Sequence, residues 1–185
     1  VLFKYFFDIS KNDIVMEVIL HFGTLMSILI FFRKDIYYLL SGIINGNKSS
    51  QLYAIYLVVA TIPVVIFSLI IKDHINSIFS VNILLYTYIV NSAILFMTKS
   101  TKINYEKVSL KLAMTMGIVQ IFALFPGISR AGITICAGLL LGYRQKEVAK
   151  FSFFMAIPAL LGAMVFELDN IIYQANSNLI LILIG

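Results

Sequence analysis

The sequence predicts an all-α integral membrane protein, a polytopic helical bundle carrying a re-entrant helix hairpin. Three observations predict it. Hydrophobic residues make up 61% of the chain and charged residues 12%, and the mean hydropathy is +0.97, well outside the soluble globular range. Two apolar segments too short to cross a bilayer flank a Pro-Gly break: Leu112 to Phe125 is 14 residues and Ala131 to Gly142 is 12, against the roughly 20 needed at 1.5 Å per residue. Basic residues, finally, alternate along the loops as topogenic charges do.

Taken in order, the approximate spans are 14–32, 52–71 and 81–98, a hairpin over 112–142, a span over 151–166 and a partial span over 179–185, all in a single transmembrane domain 1–185. Span 14–32 is closed by Arg33-Lys34-Asp35 and carries Glu17 and His21 four residues apart, on one helical face. A polar loop with Gly42, Asn45, Gly46, Asn47 and Ser49-Ser50 leads into span 52–71, interrupted by Pro63. Span 81–98 has Asn82 and Asn91 as polar residues suited to bonds between helices. The chain opens on Val1 and stops at Gly185 inside the apolar run Leu179–Ile184, so it reads as the central fragment of a longer protein, and no cleavable signal peptide is evident.

The loop charges test this order. Arg33 to Gln51 holds three basic residues, Lys72 to Ser80 one, Lys99 to Lys111 four, Tyr143 to Lys150 three and Glu167 to Asn178 none. The loops Lys99–Lys111 and Tyr143–Lys150 share the cytoplasmic side only if the hairpin returns to the side it entered from, which is what the short flanking helices also require. The net charge of +5 sits in these tracts and does not point to nucleic acid. The single Cys136 lies in an apolar helix and reads as a small packing residue. Gly138 and Gly142 form a small-x-x-x-small face for helix packing, and Glu167 and Asp169 fall in the loop assigned to the outside.

Candidate chemistry lies at the break, Leu124-Phe125-Pro126-Gly127-Ile128-Ser129-Arg130-Ala131-Gly132-Ile133-Thr134. An arginine at membrane depth is costly and so marks a functional site. Arg130 stays charged at any accessible pH and presents a planar fork suited to bidentate phosphate contact. Ser129 and Thr134 add hydroxyls, and a helix beginning near Ala131 turns unpaired N–H groups and its positive dipole end toward an anion. Gly127 and Gly132 allow close backbone approach, and Pro126 ends the incoming helix. A plainer reading has Arg130 snorkelling to an interface while Ser129 caps a helix.

Gln120, then Phe125-Pro126-Gly127-Ile128-Ser129-Arg130 and Thr134, closely resembles the second signature motif of the undecaprenyl-diphosphate phosphatases, the bacitracin-resistance family. The resemblance covers nearly the whole chain. Glu17-Val18-Ile19-Leu20-His21-Phe22-Gly23-Thr24-Leu25 with Phe31-Phe32-Arg33-Lys34 looks like the family's upstream helix, and Phe151-Ser152-Phe153-Phe154-Met155-Ala156-Ile157-Pro158 like the helix after the hairpin.

The resemblance implies an inverted-repeat architecture with two re-entrant hairpins, and a hydrolase of the bacterial cell membrane that converts undecaprenyl diphosphate to the monophosphate in cell-wall lipid recycling. It places Ser129, Arg130 and Thr134 at catalytic positions, with Gly127, Ser129, Arg130 and Gln120 binding substrate. The implied partners are a polyprenyl diphosphate, membrane lipids and a second copy of the chain in a homodimer. A divalent metal, Mg or Ca, is also implied, with ligands upstream of Val1 in the other hairpin, E-G-x-x-E-F-x-P-x-S-S-x-G-H. This chain alone is then expected to be inactive, with no metal site of its own. It also departs from the pattern at Ala131, where the family usually has a second Ser.

Glu17 and His21 are secondary candidates for acid and base, although His21 fits a family position that packs between helices. Two other function classes fit a broken helix aimed at an anion: a secondary transporter or channel, and a non-catalytic membrane scaffold.

Overall fold

Away from water every backbone N–H and C=O must find a partner within the protein, and helices meet that demand locally. Helix is accordingly the regular element of the described residues. The structure, a computed structural model, describes the backbone of residues 14–71, 81–98 and 103–184, with side chains for 18–71, 83–98 and 103–165. The chain forms α1 (Ile14–Phe31), α2 (Arg33–Ile44), α3 (Lys48–Ile71), α4 (Val81–Met97) and α5 (Leu110–Val119), the last running on as a 3-10 turn (Gln120–Leu124). After the break come α6 (Arg130–Leu140) and α7 (Gln145–Ile184).

The core is mainly apolar, yet polar side chains join it and large apolar ones face outward. Thr61, Thr87, Gln120, Thr134 and Ser152 are buried, while Phe31, Ile44, Ile70, Phe96 and Val165 stand exposed. Large apolar faces of this extent call for a hydrocarbon surrounding. Lys48–Ile71 and Gln145–Val165 are each long and apolar enough to cross a membrane. The stretches Leu110–Leu124 and Arg130–Leu140 are shorter, about 22 Å and 16 Å at the helical rise.

The packed centre lies where α3, α5 and α7 meet, around Ala60, Leu112, Ala113, Met116, Val148, Phe151 and Met155. Small residues set the spacing. A Cβ on Gly117 would stand 2.6 Å from the Ala60 carbonyl oxygen, and one on Gly138 would stand 2.4 Å from Val148. Close approach of this kind gives helices their contact where water supplies no driving force.

The two ends of the hairpin are joined to each other. Asn104 and Tyr105 donate backbone N–H bonds to the Gly142 carbonyl at 2.7 and 3.0 Å, and Arg144 N–H donates to Tyr105 at 3.0 Å. The rings of Tyr105 and Tyr143 stack with centroids 4.8 Å apart. The Ser109 hydroxyl meets the Tyr143 phenol at 2.5 Å while also capping α5 by accepting from Leu112 N–H. The chain therefore enters α5 and leaves α6 at the same place, and the Pro-Gly break forms the far tip.

Three sequence expectations change. The polar loop over Arg33–Gln51 is mostly helix α2: only Asn45–Asn47 break it, with Gly46 at φ +70° and the Asn47 side chain accepting from Ser49 N–H at 3.0 Å. Asp35 in its first turn and apolar residues beyond it are good helix material, and charge alone does not break a helix. The loop expected over Glu167–Asn178 is likewise continuous helix, because polar residues there come without a Gly or Pro to stop it. Gly142 terminates α6 instead of lining a packing face with Gly138. Its φ is +83°, and bonds from Gly142 N–H to Leu139 and from Tyr143 N–H to Gly138 close the turn. The side chains of Glu17, Asn82, Glu167 and Asp169 lie outside the described residues.

Gly117→Ala should lower the thermal unfolding midpoint in detergent, by a cost of about 1–3 kcal/mol, because the new methyl meets backbone. Gly23→Ala, with nothing within 4 Å of the added carbon, should leave the midpoint unchanged or raise it.

Candidate functional site

Ser129 stands at the N-cap of α6 with extended backbone (φ −71°, ψ 114°), and its Oγ accepts from Gly132 N–H at 3.1 Å. The capping expected of it is therefore present. The bond uses an oxygen lone pair and leaves the hydroxyl proton free to donate, and Ser129 is exposed. Gly127 adopts φ +93°, a turn that a side chain would strain. It also sits so near α4 that a Cβ would stand 2.3 Å from Thr87 Oγ1.

α4 holds the break at two points one helical turn apart. Thr87 Oγ1 donates to the Pro126 carbonyl at 2.6 Å, and Asn91 Oδ1 accepts from Ser129 N–H at 3.2 Å. Asn91 is thus the bond between helices that its position suggested.

Arg130 is half-buried and turned inward. Its Nη2 donates to the Met155 carbonyl of α7 at 2.8 Å and to Gln120 Oε1 at 3.3 Å. Gln120 is 1% exposed and donates through Nε2 to the Ala60 carbonyl of α3 at 2.6 Å. The neighbours dictate this amide's orientation, since a carbonyl can only accept and a guanidinium can only donate. Both contacts of Arg130 run through Nη2. Among the described residues, the donors on Nε and Nη1 have no protein partner and are free for a ligand.

Thr134, one turn on, is also buried. Its hydroxyl donates to the Arg130 carbonyl at 2.8 Å, so the 2.7 Å contact with Ser152 has Ser152 donating to Thr134. Ser152 lies on α7 three residues before Met155, so α7 holds α6 at two successive turns.

The structure thus brings Gln120, Gly127, Ser129, Arg130 and Thr134 together at one tip. His21 is half-buried on α1, a helix packed chiefly on α7, and Cys136 is buried and free of any disulfide. No group of three or more His, Cys, Asp or Glu among the described residues is placed to hold a metal ion. Thr87, Ser152 and the carbonyls of Ala60 and Met155 escaped the sequence reading. Thr87 could have been found from its four-residue spacing to Asn91, and the carbonyls only through Pro63 and Pro158, each three residues further on.

In comparison with known proteins, the family model described as bacitracin resistance protein BacA matches residues 1–185. The chain belongs to that family. Among curated relatives, it is 36% identical over 169 residues to the undecaprenyl-diphosphatase of Caldicellulosiruptor bescii, covering 88% of this chain and 64% of the relative. It is 31% identical over 174 residues to that of Christiangramia forsetii (92% and 66%). With the enzyme of Acinetobacter baumannii it shares 32% identity over 193 residues (100% and 71%). The chain spans about two thirds of the length of these BacA-family relatives.

Thr134→Val should destabilise the protein by about 1–3 kcal/mol, because it leaves the 4% exposed Ser152 without its hydroxyl partner. Adding Ser152→Ala to that variant should cost less than Ser152→Ala does alone, a coupling readable from unfolding midpoints in detergent.

Proposed function

We propose that the hairpin tip binds the diphosphate headgroup of a polyprenyl lipid, and that the full protein to which this chain belongs hydrolyses undecaprenyl diphosphate to the monophosphate in the bacterial cell membrane. The observation that carries the reading is the state of Arg130. One nitrogen is anchored by α7 and by Gln120, and the remaining face of the fork has no protein partner among the described residues at the start of α6. A diphosphate offers acceptor oxygens that match those donors, and charge-assisted bonds of this type are about twice as strong as neutral ones. The exposed Ser129 hydroxyl adds a donor beside Arg130 in sequence, and the positive end of the α6 dipole favours an anion at this terminus. Family membership and the names of the relatives supply the substrate class.

On this reading the hairpin is re-entrant. The joined ends at Tyr105 and Gly142 support it, as does the sharing of one side by the basic loops Lys99–Lys111 and Tyr143–Lys150. Hydrolysis adds water across the terminal phosphoanhydride: a P–O bond forms to the attacking oxygen, the P–O bond to the bridging oxygen breaks, and inorganic phosphate and the lipid monophosphate leave. Arg130 and Ser129 hold the phosphoryl oxygens while charge builds on them, and Gln120 and Thr134 hold Arg130 and its helix. The acid–base groups, and the ligands of any divalent metal, belong to the second hairpin that the resemblance places before Val1.

The test is phosphate release from a polyprenyl diphosphate by the full-length protein in detergent. Arg130→Ala should lower kcat/KM by about 10²-fold or more, and Arg130→Lys, which keeps the charge and loses the fork, should recover only part of it. Equal release by wild type and Arg130→Ala overturns the site, and transport or scaffolding would leave no release to lose. Ala131→Ser, which restores the hydroxyl of the family pattern beside Arg130, should raise the rate.

A further inference from the structure

The chain contains three prolines, and each adjoins a carbonyl that takes a bond within the tip assembly. The carbonyl of Pro126 itself accepts from Thr87. Pro63, inside α3, lies three residues after Ala60, whose carbonyl accepts from Gln120. Pro158, inside α7, lies three residues after Met155, whose carbonyl accepts from Arg130. The last two stand in the same relation: an in-helix proline, and three residues before it a carbonyl receiving a side-chain donor from the hairpin.

The relation has a physical cause. A proline lacks the N–H that would bond to the carbonyl four residues back, and its ring clashes with that carbonyl and bends the helix. The bend opens the ladder on the proline side, which also loosens the neighbouring rung to the carbonyl three residues back. An acceptor so loosened keeps lone-pair capacity for a lateral donor. In the proline-free α5 and α6, the helix carbonyls that take a hydroxyl take it from a Thr on their own helix, Thr115 to Lys111 and Thr134 to Arg130.

We propose that Pro63 and Pro158 are positioning residues of the tip. Each opens a backbone acceptor, at Ala60 and at Met155, and these acceptors fix the Gln120 amide and the Arg130 guanidinium in the orientation that leaves Nε and Nη1 for a diphosphate. The two prolines touch no ligand and act only through the side chain each orients. The effect on catalysis rests on the phosphatase reading, whereas the effect on side-chain anchoring does not.

Two double-mutant cycles on the full-length protein in detergent test this, one pairing Pro158→Ala with Arg130→Ala and the other pairing Pro63→Ala with Gln120→Ala. Each is read both as phosphate release from a polyprenyl diphosphate and as unfolding midpoint. Both proline substitutions raise helix propensity, so folded protein is expected from them. The expected result is a loss of about tenfold in kcat/KM for Pro158→Ala in the wild-type background, falling mainly on KM, and of less than about twofold in the Arg130→Ala background. Pro63→Ala should behave in the same way against Gln120→Ala, and the midpoints should be non-additive in both cycles. A general loosening of the bundle would lower both backgrounds equally, so additive behaviour in both readouts overturns the proposal. If wild type releases no phosphate, the phosphatase reading falls, and the midpoint cycles alone decide the role of the prolines.

Discussion

A helix broken inside an apolar bundle leaves polar backbone and side-chain groups that no helix ladder pairs, and leaving such a group buried and unpaired costs about 1–3 kcal/mol. The arrangement around the tip answers that demand group by group. The carbonyl of Pro126 and the N–H of Ser129, which no helix can pair, go to Thr87 and Asn91 on α4. The first turn of α6 is capped by Ser129, and the Gln120 amide goes to α3. Arg130 and Thr134 go to α7. Three helices distant in sequence are thereby committed to one turn of chain, and the exposed apolar faces remain free for lipid.

The same pairing divides Arg130 into two functional parts. A guanidinium with all its donors satisfied by protein would be structural, and one with none satisfied would be mobile and strongly solvated wherever water could reach it. Here one nitrogen is held from two sides and, among the described residues, the others are not. The side chain is therefore fixed in direction before any ligand arrives, so little conformational freedom is left to lose on binding. Gln120 is suited to its place because it must both donate, to Ala60, and accept, from Arg130. An ionised carboxylate there could only accept, and the Ala60 carbonyl would lose its lateral bond.

How far the sequence reveals this depends on which chemical groups do the holding. The hairpin is legible because its signal is coarse: two apolar segments too short to span, a Pro-Gly break and a pattern of loop charge that works only if the chain turns back. Gln120, Ser129, Arg130 and Thr134 stand out as a candidate site because polar side chains are rare in such a chain and these four crowd one motif. Their partners are less so. Ala60 and Met155 contribute backbone oxygen, which every residue has, so their side chains carry no trace of the role. Helix α2 and the run of α7 through Glu167–Asn178 are hidden in the sequence because polar residues suggest water contact, while helix breaking needs Gly, Pro or a capping turn. Gly142 was read by spacing alone, when its positive φ decides its task.

Packing at a distance also sets the geometry of the site. Gly117 and Gln120 are three residues apart on the same side of α5 and its 3-10 extension, and both meet Ala60: the glycine by close approach to its backbone, the glutamine by a bond to its oxygen. The missing side chain at 117 brings α5 near enough to α3 for the Gln120 amide to reach that carbonyl at 2.6 Å. Separate the two helices by the width of a methyl group and the amide loses its acceptor. With the amide free to rotate, Oε1 no longer faces Arg130, and the guanidinium keeps one of its two anchors. Gly117 lies outside the motif, yet through Ala60 and Gln120 it sets where the Arg130 guanidinium points. This is why a hairpin of modest length must be packed tightly along its whole incoming helix, and not only at its tip.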